Sequence, residues 1–488
     1  MTCALRKYLI LIYLLLSSGY LLLANGMEVS NVRLVNRDTT ANTIWILADI
    51  HWNNAWHLDA ANAPGNYDAA WVFVKVRANN GASMHLLFEL DDIVTPVNAH
   101  IEVPPDKVGF FISLNDTTSG NAAFFDIAFR WNYDDYGISD TAEISAKVFA
   151  IEMVRIPEGA FVAGTSAGGG EVDPFTPTTI NTGLSETIPT GTDGIDGTPS
   201  GGFPAGEVAP AYNNFPNGYK SFFCMKYEMS QQQYADFLND LTPIQASQCF
   251  QPLETFDKSP FRYDIHLDSV SGLYVSGNPY VALNVLSYAD GAAYADWAGL
   301  RPMTELEFEK ICRGPESSFP GQFPWGDSTI TNLDYTLINE GTLSEQLNLL
   351  DLSQGNAMYK AVNGVINGPV RCGAFAASSP IANRKITGAA YYGVMEMGGN
   401  VLERVISLEF PEGRNYKGSH GDGYLTTDGF HTNADWPSAS LPVGSSGRGG
   451  KWNVEKDRML ISDRLLIGSH LGSRYHNAGF RFVRTSYE

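Results

Sequence analysis

The sequence predicts an α+β protein in which an all-β sandwich is followed by a larger, loop-rich unit. Three observations predict it. Up to residue 152 the apolar residues sit in short alternating runs separated by Asn, Asp, Gly and Pro, as antiparallel strands require. Beyond residue 152 three helix starts carry a hydroxyl cap with a partner three residues on. The chain holds 48 Gly and 25 Pro but only 17% charged residues, a composition of turns and loops around large cores.

The first 26 residues read as a targeting segment. Arg6 and Lys7 form a basic start, and Leu9 to Leu23 is a Leu-rich run broken by Ser17-Ser18-Gly19. That run is shorter than the roughly 20 residues of a membrane-spanning helix. Ala24-Asn25-Gly26 places small residues where a signal peptidase needs them, so cleavage is expected after Gly26, with an uncleaved anchor as the alternative. No Cys follows the apolar run, which disfavours a lipid anchor, and no later stretch is apolar enough to span. The mature chain is therefore expected to be secreted, periplasmic or at the cell surface. A formal net charge of −21 argues against the nucleic-acid binders, which need a basic face.

Residues 27–152 form the predicted sandwich. Val29–Leu34, Thr43–Ala48, Ala70–Val76, Val108–Leu114, Phe124–Trp131 and Glu143–Val154 are its strands. Trp52, Trp56, Trp71 and Trp131 lie among them; core filling accounts for them better than a sugar-stacking platform. Within the second unit, 153–488, residues 164–218 lack hydrophobic periodicity and are rich in Gly, Pro and Thr. They read as a long inserted surface arm. Ser230 and Gln233 make a capping box for a helix from Gln231 to Leu238. Ser287 caps a helix from Tyr288 to Leu300. Thr304 and Glu307 open a third helix.

Of five cysteines, Cys3 leaves with the targeting segment. Cys224, Cys249, Cys312 and Cys372 remain and allow three full pairings. Cys224–Cys249, which bracket one predicted helix, is the favoured pair; free buried thiols are the alternative. No C-x-x-C occurs, and no G-x-S-x-G, H-E-x-x-H or Walker pattern either.

An ordered set of segments carries a more specific signal: Val154–Phe161, Glu228-Met229-Ser230, Asn284–Gly314, Phe323-Pro324-Trp325-Gly326-Asp327, Gly399-Asn400-Val401-Leu402-Glu403, Gly447–Trp452 and Gly479-Phe480-Arg481. Together they resemble the sulfatase-modifying factor family, that of the formylglycine-generating enzymes. The resemblance implies a C-type-lectin-like fold. It also implies a copper(I) site on two cysteines shortly after the Gly-Gly motif, where soft thiolates suit that metal. Here those positions fall on Val454 and Met459. Val454 has no ligand atom and a single thioether is insufficient, so copper and formylglycine-generating activity are not expected. The family's disulfide partner for Cys312 is replaced by Phe482.

The resemblance further implies a structural calcium ion. Glu396 and Glu403 would contribute carboxylates and Gly399 and Val401 carbonyls, although Leu402 and Arg404 replace two tryptophans of the motif. A second calcium site would begin at Asn332 and Leu333. Three functions follow. The leading one is an exported, non-catalytic binding or structural component of the envelope or surface, with a protein or glycan as partner. An oxidoreductase of the formylglycine-generating type, or a cysteine-independent relative drawing on His420, His431, His470 and His476, is the second. A lectin-like receptor for glycan or peptide, using Trp436, Trp452 and Tyr475, is the third.

Overall fold

The computed structural model describes residues 26–487 apart from 60, 80, 116, 184–214, 254–259, 361–363 and 470–471. The expected targeting segment up to Ala24-Asn25, the middle of the inserted arm and His470 therefore lie outside the described residues.

Two sheets organise the N-terminal half. One runs in the order Glu28–Asp38, Thr43–His57, Thr118–Asn132, Ile93–Val94. The other is an eight-stranded sheet. Its order is Arg301–Pro302, Phe482–Thr485, Phe222–Met225, Ile144–Ile156, Asp68–Ala78, Phe110–Leu114 and Ala99–Glu102, with Met84–His85 added beside Asp68–Ala78. The strand Asp68–Ala78 explains the layering, because successive side chains point to opposite faces. Ala70, Val72, Val74 and Val76 enter a core shared with Ile46, Ile50, Trp52, Phe129 and Trp131 of the four-stranded sheet. Ala69, Trp71 and Phe73 enter a second core with Phe223, Tyr234, Tyr294 and Trp297. Burial on both faces is why this strand reads as a nearly continuous apolar run.

The expected division at residue 152 falls inside the strand Ile144–Ile156. That strand pairs with Asp68–Ala78 on one side and with Phe222–Met225 on the other, so backbone hydrogen bonding runs unbroken across the position. Lys226 fastens the same junction. Its buried ammonium meets Glu152 at 2.5 Å and Asp68 at 3.3 Å. Burial, with Asp68 close by, pushes the Glu152 carboxyl up to about 7.

The capped helices form where their local signals place them. Ser230, Ser287 and Thr304 each close a capping box, over Gln231–Leu238, Tyr288–Trp297 and Glu305–Arg313. The second ends three residues before Leu300, with Gly299 in the left-handed region at φ 68°. A fourth helix, Pro243–Cys249, was not anticipated, although Thr242 and Gln245 make the same box around a Pro at the first turn. The start of the inserted segment is packed: Thr178–Ile180 pairs with Phe161–Ala163, and Phe175 and Ile180 are fully buried.

The favoured Cys224–Cys249 bridge does not form; all four described cysteines are free and buried. The helix Gln231–Leu238 lies between them, and they pack into different cores. Cys224 packs with Val154 and Phe308, whereas Cys249 packs with Tyr234 and Tyr263. No helix among the described residues is long and apolar enough to cross a membrane.

Candidate functional site

The segment that would hold copper begins where the strand Ser445–Arg448 ends. Gly449 and Gly450 turn the chain with φ of 84° and 72°, which favours Gly. A side chain would collide as well, since a Cβ on Gly450 would lie 2.6 Å from Met459 Cγ. The chain then rises through Val454 into the short 3-10 helix Lys456–Met459.

Val454 and Met459 part company here. Val454 lines a small cleft of about 150 Å³ with Leu402, Gly447, Lys451, Leu465 and Leu466. Met459 is fully buried in a cluster with Phe323, Trp325, Met358 and Trp452. Among the described residues no cysteine lines the cleft. Cys372 packs with Tyr227, Ala282 and Val401 in one interior cluster and Cys312 with Phe308 and Val405 in another. Burial pushes both thiols well above the usual thiol range, so neither supplies a thiolate.

The Glu396–Glu403 turn lies beside this segment, tied to it by Gly399 N–H donating to Gly449 O at 2.7 Å. Glu396 and Asn400 hold positive φ, 52° and 54°, conformations that a non-Gly residue seldom adopts. Side-chain bonds fix the turn. Asn400 Nδ2 donates to Glu228 Oε2 at 2.5 Å, and Val401 N–H donates to Glu228 Oε1 at 3.0 Å. Arg481 Nε donates to Glu403 Oε1 at 2.7 Å, and Gly373 N–H donates to Glu396 Oε2 at 3.1 Å. The second oxygen of each of these last two carboxyls, Glu396 Oε1 and Glu403 Oε2, is buried without a hydrogen-bond partner. Desolvation raises all three carboxyls, Glu396 to about 7, although Arg481 opposes the shift.

Two orphaned carboxylate oxygens at one turn are what a hard cation seeks, and to that extent the donor set fits calcium. Arg481 already neutralises part of the charge, and among the described residues no three His, Cys, Asp or Glu gather as a metal-binding group. At the second expected site Asn332 and Leu333 lie on an exposed loop. Asn332 Oδ1 accepts from the Tyr359 hydroxyl at 2.8 Å, and Leu333 N–H donates to Thr331 Oγ1 at 3.1 Å.

A buried ionic hub holds the cleft and the turn on the helix Glu305–Arg313. Glu305 Oε2 accepts from Arg448 Nη1 at 3.0 Å and from Arg464 Nε at 2.8 Å, while Glu305 Oε1 accepts from Leu408 N–H at 2.8 Å. Glu309 pairs with Arg448 at 2.8 Å and with Arg313 at 2.9 Å. Arg474 pairs with Asp290 at 2.7 Å.

The other sequence candidates disperse. His420 accepts from Thr485 N–H at 3.0 Å, His431 sits 3.1 Å from Pro437 O, and His476 stacks on Phe261 at 4.3 Å, each on a different set of neighbours. Trp436 and Trp452 fall in separate core clusters, and only Tyr475 of that trio is exposed. Trp52, Trp71 and Trp131 are fully buried. Trp56 alone borders a cavity, about 470 Å³, with Pro64, Tyr391 and Tyr392, and Lys226 lies 4.5 Å over its ring. Sequence reasoning did not identify Glu228 as the residue that clamps the turn; it stood only as part of the Glu228-Met229-Ser230 segment.

The solved structures that the chain resembles include Treponema denticola variable protein 1, at 14% identity and a TM-score of 0.35, covering 69% of this chain and 96% of that one. No curated protein matches. The family model for the sulfatase-modifying factor enzyme 1-like domain matches residues 142–486, from just before the strand Ile144–Ile156 to the last strand of the sheet. With most of its length matched in this way, the chain belongs to the sulfatase-modifying factor family.

Proposed function

We propose that this protein is an exported, non-catalytic member of its family that binds a protein or glycan of the cell envelope or surface. One observation carries the reading. Where copper-binding thiolates would be needed, Val454 lines a small cleft, Met459 is buried in a core cluster, and among the described residues no thiol lines the cleft. A neutral thioether cannot become a thiolate at any pH, so it cannot replace one. Export rests on the tripartite N-terminus, and its test is the native protein in a fractionated cell. Terminal sequencing should begin near Met27, with the protein in the envelope or secreted fraction. A chain beginning at Met1 or Thr2 would overturn cleavage, and the protein's absence from the envelope and secreted fractions would overturn export.

Structural calcium at Glu396, Gly399, Val401 and Glu403 belongs to the same proposal, supported by the orphaned oxygens Glu396 Oε1 and Glu403 Oε2. A ligand that binds only the native state raises its stability by mass action. EDTA should therefore lower the melting temperature at neutral pH, and Glu403→Ala should abolish that sensitivity. The pH dependence gives a second reading of the same groups. Glu396 is raised from 4.5 to about 7 when no cation is present. The folded metal-free protein then holds the proton more tightly than the unfolded chain. Its contribution is full below pH 4.5 and is lost as pH rises through about 7. Calcium, which needs ionised carboxylates, should reverse that slope. Identical pH profiles with millimolar calcium and with EDTA would exclude the ion.

A further inference from the structure

Among the described residues most buried arginines of the second unit are matched to a carboxylate: Arg301 to Glu307, Arg313 to Glu309, Arg448 and Arg464 to Glu305, Arg481 to Glu403. Arg371, Arg414 and Arg404 instead bond backbone carbonyls, and Arg404 leaves two of its three nitrogens without an acceptor. It is 1% exposed, and its Nη2 donates to Leu286 O at 2.6 Å and Ser473 O at 2.8 Å. Its Nε and Nη1 are buried with no acceptor, and the ring of Phe480 lies 5.4 Å from the guanidinium. Asp290, whose charge reaches it, is held by Arg474 through two bonds of 2.7 Å.

A second cation shares this condition. Lys451 is half-buried, and its ammonium reaches only Asn477 Oδ1, at 3.5 Å. Desolvation and the nearby Arg404 both lower its pKa, and no acid opposes them. In a chain with 53 acidic and 32 basic residues, a buried guanidinium with a half-buried ammonium near it, neither bonded to a carboxylate among the described residues, calls for an anion from outside.

Lys451 lines a cleft, and Arg404 stands behind it on a neighbouring strand. On the strand Leu402–Ile406, Leu402 and Arg404 share a face, and Arg404 is paired in register with Gly447. Leu402, Gly447, Lys451 and Val454 line the cleft of about 150 Å³, which Leu465 and Leu466 wall. The other cations of its lining are already neutralised, Arg448 by Glu305 and Glu309, Arg458 by Asp463. The result is a small space with largely apolar walls, the paired Arg458 and Asp463 on its lining, and one positive end without a carboxylate partner.

We propose that this cleft binds the carboxylate of an organic acid with a short branched apolar body, either a free small acid or the C-terminal residue of a peptide. Lys451 pairs with the carboxylate and Arg404 adds positive potential from behind. Leu402, Val454, Leu465 and Leu466 receive the apolar body. The inference rests on the non-catalytic reading, because it gives the cleft a ligand where the copper chemistry has no thiol. Its failure and that reading's failure are distinguishable, since one is read as binding and the other as aldehyde formation.

Titration calorimetry of the mature protein tests it with four probes: 4-methylpentanoate, acetyl-Gly-Gly-Leu as the free acid, the same peptide as its amide, and sulfate. At least one of the two acids should bind, and the amide at least tenfold more weakly than its acid. Binding of 4-methylpentanoate alone identifies a free acid as the ligand, and binding of the peptide acid identifies a chain terminus. Lys451→Met, at a half-exposed turn position, should weaken the acids tenfold or more. Val454→Trp, which fills the cleft and keeps both cations, should do the same. Acid and amide binding alike, sulfate binding without either acid, binding unchanged in both variants, or no heat with any probe would overturn the proposal.

Discussion

Glu305→Ala should be among the most destabilising single changes in this protein. The Glu305 carboxylate is fully buried and gathers Arg448, Arg464 and the Leu408 N–H. Removing it leaves two buried guanidinium groups short of their counter-charge. A broken buried ion pair typically costs roughly 3–5 kcal/mol, far more than the intact pair contributes over an apolar replacement. A melting temperature lower by about 5–10 °C is expected. Glu305→Gln keeps the shape and one acceptor oxygen and should fall between. The hub is structural, so calorimetry reads it directly. A shift within about 0.5 kcal/mol, the usual range of a surface substitution, would show that the arginines find other partners.

Trp71→Ala should cost a comparable amount, roughly 3–5 kcal/mol for a large buried aromatic. Trp71 belongs to the strand Asp68–Ala78, yet its Nε1 donates to Ala298 O at 2.9 Å and the Arg484 guanidinium lies 4.1 Å over its ring. It therefore joins the N-terminal strands to the second unit. Because the eight-stranded sheet runs through both, denaturation should remain one transition, shifted as a whole. Trp71→Phe keeps most of the packing and loses the indole bond, about 1 kcal/mol. Appearance of an early, separate transition, with the rest of the protein melting as before, would show that residues 27–152 unfold on their own.

What the sequence revealed follows the range of the forces involved. Capping boxes are local, three residues long, and Ser230, Ser287 and Thr304 stand where their spacing puts them. Strand alternation is local too, so Thr43–His57 and Asp68–Ala78 were legible. The pairing of Ile144–Ile156 with Phe222–Met225 is not, because more than sixty residues of intervening chain leave no local trace of it. The same holds for Lys226, whose buried partners Asp68 and Glu152 come from far upstream.

The candidate site divides in the same way. Val454 and Met459 were legible as missing ligands, but their separation, one toward a cleft and one into a core, depends on the double-Gly turn and on the Phe323–Trp325 cluster. Cys224 and Cys249 looked like a pair because they bracket one predicted helix, and packing into different cores overrode that local signal. Arg404 entered the sequence reading as a departure from the family turn. Its lack of a carboxylate is a property of the fold, since Asp290 is claimed by Arg474 from the far end of the chain.

This family member is expected to perform no thiol oxidation. The direct measurement mixes the purified mature protein, copper, oxygen and a peptide carrying the sulfatase cysteine motif, and follows the aldehyde by mass spectrometry. Val454 offers copper no ligand atom, and the Cys312 and Cys372 thiols are buried with their pKa values pushed well up. The expected result is no aldehyde above the protein-free control, and none gained in Val454→Cys or Met459→Cys alone, since one thiolate does not make a pair. Aldehyde formation that is abolished by Cys372→Ser or Cys312→Ser would contradict the account.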